Sequence, residues 1–338
     1  MARIAVDTLG GEASPGAAVE AAAQASLEGI EVVLVGHVDR IQAELDATSY
    51  DPRRISVRHC TTAGDEPVAG WRALLPRRDS AVVVAARLVA EGEADALVTA
   101  GPPTATVLAV SRSFARLAGA GRLGLASVYP REIDEPGQDP FALIVDVGAA
   151  VRCEVADLVA FARLGSVWSR LVSGSAAPRI GLLNSGTGED AGGDLLVETH
   201  RCLRALPELN FVGNLEGSEL TQGRADVVVC EGLLGNVVIK LLESIEDVVA
   251  AVAQHGGSEG WRARLGIRPL AQQIARLREI SERPGYAGAP ILGVRQICLQ
   301  LHRRSRPPAF RNALKLAAKA VRDDAGGQMA AAVAGRVP

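Results

Sequence analysis

Between Arg3 and Val252 the chain repeats one unit: a short apolar run, a glycine-bearing turn, then a stretch of helical periodicity. Runs at Arg3–Asp7, Glu31–Val35, Ile55–His59, Asp95–Thr99, Gly121–Tyr129, Phe141–Val147, Arg179–Asn184 and Asp226–Cys230 read as strands. Ser14-Pro15, Asp79-Ser80 and Pro307-Pro308 read as helix starts. Linkers are short, and no Ser/Pro-rich segment separates independent domains. Such an alternation folds as a doubly wound α/β/α sandwich around a mostly parallel sheet, with its cleft at the carboxyl-end turns. Residues 1–325 are expected to form one α/β domain, or two lobes around one cleft. A helical hairpin is expected to project over 237–283, and the alanine-rich end, 326–338, to be a flexible tail.

The unit over Ala225–Lys240, ADVVVCEGLLGNVVIK, carries the most chemistry. Its run Asp226–Cys230 reads as a strand buried on both faces. Glu231-Gly232 then breaks the strand, and Gly235-Asn236 breaks the chain again before a helix opens at Val237. Strand, glycine turn and helix start place backbone N–H groups and a positive helix end at one sheet edge, an arrangement suited to phosphate. Lys240 lies one turn into that helix. Thirty-three of the thirty-six basic residues are arginine, which singles out Lys240 from a very small set of lysines. An ordinary βα turn with a solvated lysine is the other reading.

Composition narrows the classes. Hydrophobic residues make up 48% but aromatics only 3%, so Ala, Val, Leu and Gly must fill the core. A net charge of −3 with interspersed signs gives no field for nucleic acid. The five cysteines are scattered, without C-x-x-C spacing, which argues for a reducing compartment and neither structural metal nor disulfide framework. No signal-like segment precedes the first strand and no run approaches the ~18–20 apolar residues of a membrane span. The expected location is cytoplasmic, at most peripheral to the inner face of a membrane. A G-x-G-x-x-G after a strand is missing, which sets aside a dinucleotide dehydrogenase, and no cofactor is expected.

Other turns repeat the anion theme. Asp7-Thr-Leu-Gly-Gly-Glu12 places Gly10 and Gly11 between a strand-end Asp and a helix start, a potential nest, although βα turns also need glycine for steric reasons. His302-Arg303-Arg304-Ser305-Arg306 opens the last long helix, where guanidinium charge and helix dipole act in the same sense; a solvated basic loop is the alternative. In Trp261–Leu270, Trp261, Leu265 and Ile267 alternate with Arg262, Arg264 and Arg268. That mixture fits an anionic membrane interface or an acidic partner, and equally a hairpin packed on a second subunit.

Seven segments in this order resemble the bacterial phosphate acyltransferases of phospholipid synthesis: DTLGGE (7–12), DSAVVVAARLVAEGEADALVTAG (79–101), DVGA (146–149), GLLNSG (181–186), NFVGNLEG (210–217), DVVVCEGLLGNVVIK (226–240) and GAPILGV (288–294). The resemblance implies an isocitrate-dehydrogenase-like, phosphotransacetylase-like fold and a homodimer. It also implies loose membrane association through the hairpin, and acyl transfer from acyl carrier protein to inorganic phosphate. Departures fall at cleft turns: Pro102-Pro103-Thr104 stands where the family has Asn-Thr-Gly, Ala150 where it has Asn, Glu231 where it has Asp, and Arg303-Arg304 within its His-Gly-Ser-Ser. Losing one donor aimed at a developing oxyanion costs about 2.7–4 kcal/mol.

On this resemblance Lys240 and His302 are the candidate catalytic residues. Phosphate and substrate are expected at Asp7, Gly10, Gly11, Asp146, Asn184, Asn214, Glu216, Glu231, Asn236, Arg303, Arg304 and Ser305. Within that set Asn184, Asn214 and Asn236 serve as neutral donors and His302 moves a proton. The departures leave two alternatives open: a carrier-protein acyltransferase with a changed acceptor or acyl group, and a non-catalytic scaffold that binds acyl carrier protein or membrane.

Overall fold

The computed structural model describes residues 2–63, 77–133, 139–256 and 287–335, with side chains beyond 245 in the helix ending at 256 described only at Val248. The first half of the chain builds β1 (Arg3–Asp7), α1 (Gly16–Leu27), β2 (Glu31–Gly36), α2 (Val38–Asp46), β3 (Ile55–His59), α3 (Ala81–Ala90), β4 (Ala96–Thr99) and α4 (Pro103–Ser113). The second builds β5 (Gly124–Pro130), β6 (Phe141–Val145), α5 (Val155–Ser173), β7 (Arg179–Leu183), α6 (Asp194–Arg204), β8 (Asn210–Leu215), β9 (Val227–Val229) and α7 (Gly232–Gly256). The chain then returns through β10 (Ala289–Leu292), β11 (Ile297–Gln300), α8 (Pro307–Arg322) and α9 (Ala325–Val333).

All eleven strands join one sheet, in the order β3-β2-β1-β4-β11-β10-β5-β6-β9-β7-β8. Pairing is parallel from β3 to β11 and from β6 to β8, and antiparallel at β11–β10, β10–β5 and β5–β6. The two parallel blocks therefore run in opposite senses. Six pairings separate β1 from β9, and a twist of about 20–25° at each accumulates to about 120–150°, turning the reversed block most of the way back toward the first.

Strand alternation divides the core into two layers. One layer joins Ile4, Val6, Val32 and Leu34 to the buried faces of α1, α2, α5, α6, α8 and α9 in a continuous cluster, and the other joins Ala5, Val33 and Val35 to those of α3, α4 and α7. The scarcity of aromatics is met by small residues: Ala17, Ala18, Ala21, Ala22 and Ala25 are buried along α1. Cys60, Cys202, Cys230 and Cys298 are buried free thiols and Cys153 is partly buried. Among the described residues no helix is long and apolar enough to cross a membrane.

Two expectations change. The helix after β9 opens at Gly232, not at Val237, so Gly235-Asn236 lies inside α7. The end of the chain is not a loose tail through 333: Ala325, Met329 and Val333 are buried in α9, where alanines let it lie close to α5. Pro102 and Pro103 start α4 as N-cap and first residue, where a missing N–H removes no helical hydrogen bond. Trp261, Arg262, Arg264, Leu265, Ile267 and Arg268, with the rest of the expected hairpin from 257 to 283, lie outside the described residues.

Candidate active site

At the end of β1, buried Asp7 accepts the Leu9 N–H (2.9 Å) and the Thr99 hydroxyl (2.9 Å), and Thr99 Oγ1 accepts the Gly101 N–H (3.0 Å). The turns after β1 and β4 are thereby pressed together. A Cβ on Gly10 would stand 2.5 Å from the Gly101 backbone, which is why glycine is required there. The expected amide nest is not open. Gly11 N–H donates to Ser14 Oγ (3.2 Å) and Glu12 N–H to the Arg303 carbonyl (2.8 Å). Ser14 is thus engaged with Gly11, and Pro15 takes the N-cap position of α1.

The Glu12–Arg303 bond carries the basic loop to this turn. His302, Arg303 and Arg304 are exposed, and Arg304 Nε lies 3.7 Å from Glu12. His302 Nδ1 accepts the Arg304 N–H (3.1 Å), so the neutral ring carries its proton on Nε2. Ser305 N–H returns to the His302 carbonyl (2.9 Å), and Arg306 is the N-cap of α8. Buried Gln300 donates to the Gly101 and Leu301 carbonyls (2.7 Å each), tying the loop to the start of α4. Asp7, Gly10, Gly11 and His302–Ser305 are therefore one constellation, and its attraction for an anion resides in guanidinium groups and the α8 dipole.

The second block has its own strand-end carboxylate. Asp146 is fully buried after β6; Oδ1 accepts N–H groups of Leu125 (2.8 Å), Gly148 (3.0 Å) and Ala149 (2.9 Å), and Oδ2 that of Ala150 (2.6 Å). Burial pushes its carboxyl pKa up, against the downward pull of these four donors. The start of α7 closes over it: a Cβ on Gly235 would stand 1.9 Å from the Asp146 carbonyl oxygen, and one on Gly232 2.4 Å from Oδ2. Gly235 is there for that approach rather than for a chain break. Asn236 Nδ2 donates to the Val147 carbonyl (3.1 Å), and Glu231 accepts the Gly235 N–H through its own carbonyl (2.9 Å). Burial pushes the neighbouring Cys153 thiol up to about 11 and Cys230 higher still, so neither is a thiolate near neutrality.

Asn184 follows β7 and Asn214 is the penultimate residue of β8. Asn184 Nδ2 holds the Ala191 carbonyl (3.0 Å), its Oδ1 accepts the Ser185 N–H (2.7 Å), and Asn214 Nδ2 holds the Gly188 carbonyl (2.6 Å). These amides fix the glycine loop 185–193 rather than pointing freely at a ligand. Glu216 caps the short turn Gly217–Gln222 in a reciprocal box with Glu219.

Lys240 belongs to none of these groups. Eight residues beyond the start of α7, it stands about 12 Å along the helix axis. Its exposed Nζ pairs with Glu243 Oε2 at 2.7 Å. Sequence reasoning placed it near a turn because it placed the helix start five residues late. It missed His200, buried on α6 with Nδ1 2.9 Å from Asn214 Oδ1. The available signal was a histidine on the same helical face as Thr199 and Leu203, preceding the strand that holds Asn214.

The reversed double block is a phosphotransacetylase-like α/β fold. A phosphotransacetylase from Streptococcus pyogenes aligns over 95% of this chain and 94% of its own with a TM-score of 0.62 at 16% identity, a likeness of fold. Residues 2–326 match the family described as fatty acid synthesis protein, and the chain belongs to that family. A phosphate acyltransferase of Thermosynechococcus vestitus is 36% identical over 323 residues, covering 95% of this chain and 92% of the relative. One of Clostridium perfringens is 33% identical over 332 residues, covering 97% and 95%.

Proposed function

We propose that this chain transfers an acyl group from the thioester of acyl carrier protein to inorganic phosphate, releasing acyl phosphate and the carrier thiol. Phosphate oxygen attacks the thioester carbonyl, the C–S bond breaks, and the departing sulfur takes a proton. The observation that carries this reading is the Glu12–Arg303 hydrogen bond, which brings two exposed guanidinium groups and an imidazole to the glycine turn after β1. Arg303, Arg304 and the start of α8 hold phosphate, and His302 Nε2–H is the proton donor in reach of that rim. Family membership and the relatives named phosphate acyltransferase support the same chemistry. Asp7 and Asp146 shape their turns, and Lys240 stands outside.

The test is thiol release from acyl carrier thioesters, with acyl phosphate trapped by hydroxylamine. Release that depends on phosphate supports the proposal. Release that proceeds without phosphate, toward another nucleophile, replaces it with a changed acceptor, and binding without any release makes the chain a scaffold.

A homodimer belongs to this proposal. Leu233, Val237, Leu241, Ile245 and Val248 are exposed at intervals of four, four, four and three along α7. They form an apolar stripe about 22 Å long, a self-complementary surface for a second copy. Leu241→Glu is expected to convert a dimer to monomer in sedimentation, and an unchanged dimer removes this face from consideration. Cytoplasmic location follows from dependence on a carrier protein. Peripheral membrane contact through Trp261–Leu270 is proposed on the sequence pattern.

A further inference from the structure

We propose that His200 is a positioning residue for the glycine loop 185–193, acting through the side-chain amide of Asn214; only its effect on turnover rests on the acyl-transfer reading. The loop is fixed at two points by the amides at the ends of its flanking strands, Asn184 on the Ala191 carbonyl (3.0 Å) and Asn214 on the Gly188 carbonyl (2.6 Å). Asn214 can hold Gly188 only with Nδ2 turned toward it, and nothing in the amide's own shape prefers that orientation. His200 supplies the preference. Its Nδ1 lies 2.9 Å from Asn214 Oδ1, and an acceptor there requires Nδ1 to carry the proton. The imidazole is 4% exposed and packs edge-on against Phe211, with centroids 5.1 Å apart.

The other ring nitrogen shows that packing is not the reason for an imidazole. His200 Nε2 is buried without a hydrogen-bond partner and lies 3.9 Å from Glu189 Oε1, an oxygen that Arg204 holds at 2.6 Å. A phenyl ring would fill the same space beside Phe211 and leave no unsatisfied nitrogen. What only the imidazole contributes is the Nδ1–H that sets Asn214. Gly192 fits the same design. At φ +82 it lets the loop turn beneath Asn184, where a Cβ would stand 2.5 Å from Asn184 Oδ1.

Asparagine at 200 places an N–H where Nδ1 stands, whereas phenylalanine keeps the ring and removes the donor. Hydrogen exchange of the 185–193 amides is expected to accelerate about tenfold in His200→Phe, with the exchange of β7 and β9 unchanged, and to return most of the way in His200→Asn. In the phosphate-dependent thiol-release assay, His200→Phe is expected to raise KM for one substrate about threefold or more at nearly constant kcat, and His200→Asn to reverse it. Asn214→Leu, which removes the link from the other side, is expected to reproduce the exchange result should His200→Phe fold poorly. Unchanged loop exchange in His200→Phe or, where that variant folds poorly, in Asn214→Leu overturns the proposal, as does His200→Asn behaving like His200→Phe. A wild-type protein without phosphate-dependent release would sink the acyl-transfer reading, while the exchange experiment still decides whether His200 positions the loop.

Discussion

The two blocks of the sheet end their leading strands alike and use the result differently. After β1 and after β6 stands a buried aspartate whose oxygens collect local donors, followed by glycine-bearing turns. Around Asp146 the donors are four backbone N–H groups, and the start of α7 seals the site with two glycines. Around Asp7 they include the Leu9 N–H and the Thr99 hydroxyl, and the neighbouring turn opens onto an arginine loop in solvent. A carboxylate that saturates its own nest leaves no donor for a substrate. The nest therefore works as a staple, and the proposed anion chemistry falls to the block where charges remain exposed.

The largest effect that separates the two is on stability. Asp146→Ala strands four N–H groups, of which the buried ones of Leu125 and Ala150 cost about 1–3 kcal/mol each and the other two less, and a loss of about 4 kcal/mol is expected in urea titration. Asp7→Ala should lose less, about 1–3 kcal/mol, because the Leu9 N–H it strands is only part-buried and the Thr99 hydroxyl can rotate to another acceptor. Equal losses would erase the distinction. Gly235→Ala comes next. Helix propensity favours alanine by about 1 kcal/mol, but a Cβ 1.9 Å from the Asp146 carbonyl oxygen forces α7 to shift, so a net destabilisation of about 1–3 kcal/mol is expected. Stabilisation would mean that α7 does not close the nest.

A third carboxylate gives the comparison a pH axis. Burial would raise the pKa of Asp226, but hydrogen bonds from Arg179 and the charges of Arg131 and Arg179, at 2.8 and 3.0 Å, outweigh it and hold the group below the usual carboxylate range. A depressed folded pKa stabilises above the unfolded value of about 3.9 and loses that contribution as pH falls through the folded one. Asp146 has the opposite sign. Its raised pKa favours the protonated fold, an advantage present below the unfolded value and lost as pH rises through the folded one. Asp226→Asn is expected to flatten the fall in Tm between about pH 5 and pH 2, and a curve parallel to wild type would show that the two arginines do not depress Asp226.

On the open side the readout is kinetic. Arg304→Ala and Arg303→Ala are each expected to raise KM for phosphate about three- to tenfold, with stability within about 0.5 kcal/mol of wild type. Unchanged KM in both would detach the loop from phosphate.

The alternation of apolar runs and glycine turns was enough to read the layered α/β architecture, because strands buried on both faces announce themselves as unbroken Val, Ile and Leu. It could not give the reversal at β10–β5, since a strand's direction relative to distant neighbours leaves no mark on its own composition. Glycines misled in a consistent way. Gly235 read as a break and Gly10 and Gly11 as an open nest, yet Gly10 and Gly235 answer a close approach from a distant segment and the Gly11 amide is engaged by Ser14. The gathering of Gly10 with Arg303 was legible only through the resemblance. His200 was legible only as a histidine on the apolar face of α6, because its partner lies fourteen residues away on another element.

Lys240 closes the series with the smallest effect. Its rarity as a lysine suggested chemistry, but rarity in composition says nothing about position. In the fold it is more than two turns into α7, exposed, and satisfied by Glu243 at 2.7 Å. An exposed i,i+3 pair of this kind contributes about 0.2–0.5 kcal/mol and is screened by salt. Lys240→Met is therefore expected to change stability by no more than about 0.5 kcal/mol and KM for phosphate by less than about twofold. A loss of tenfold or more in turnover, at unchanged stability, would return Lys240 to the reaction. It would require α7 to present its side chain to the substrate in a state other than this one, and the division between a closed and an open block would then need to be redrawn.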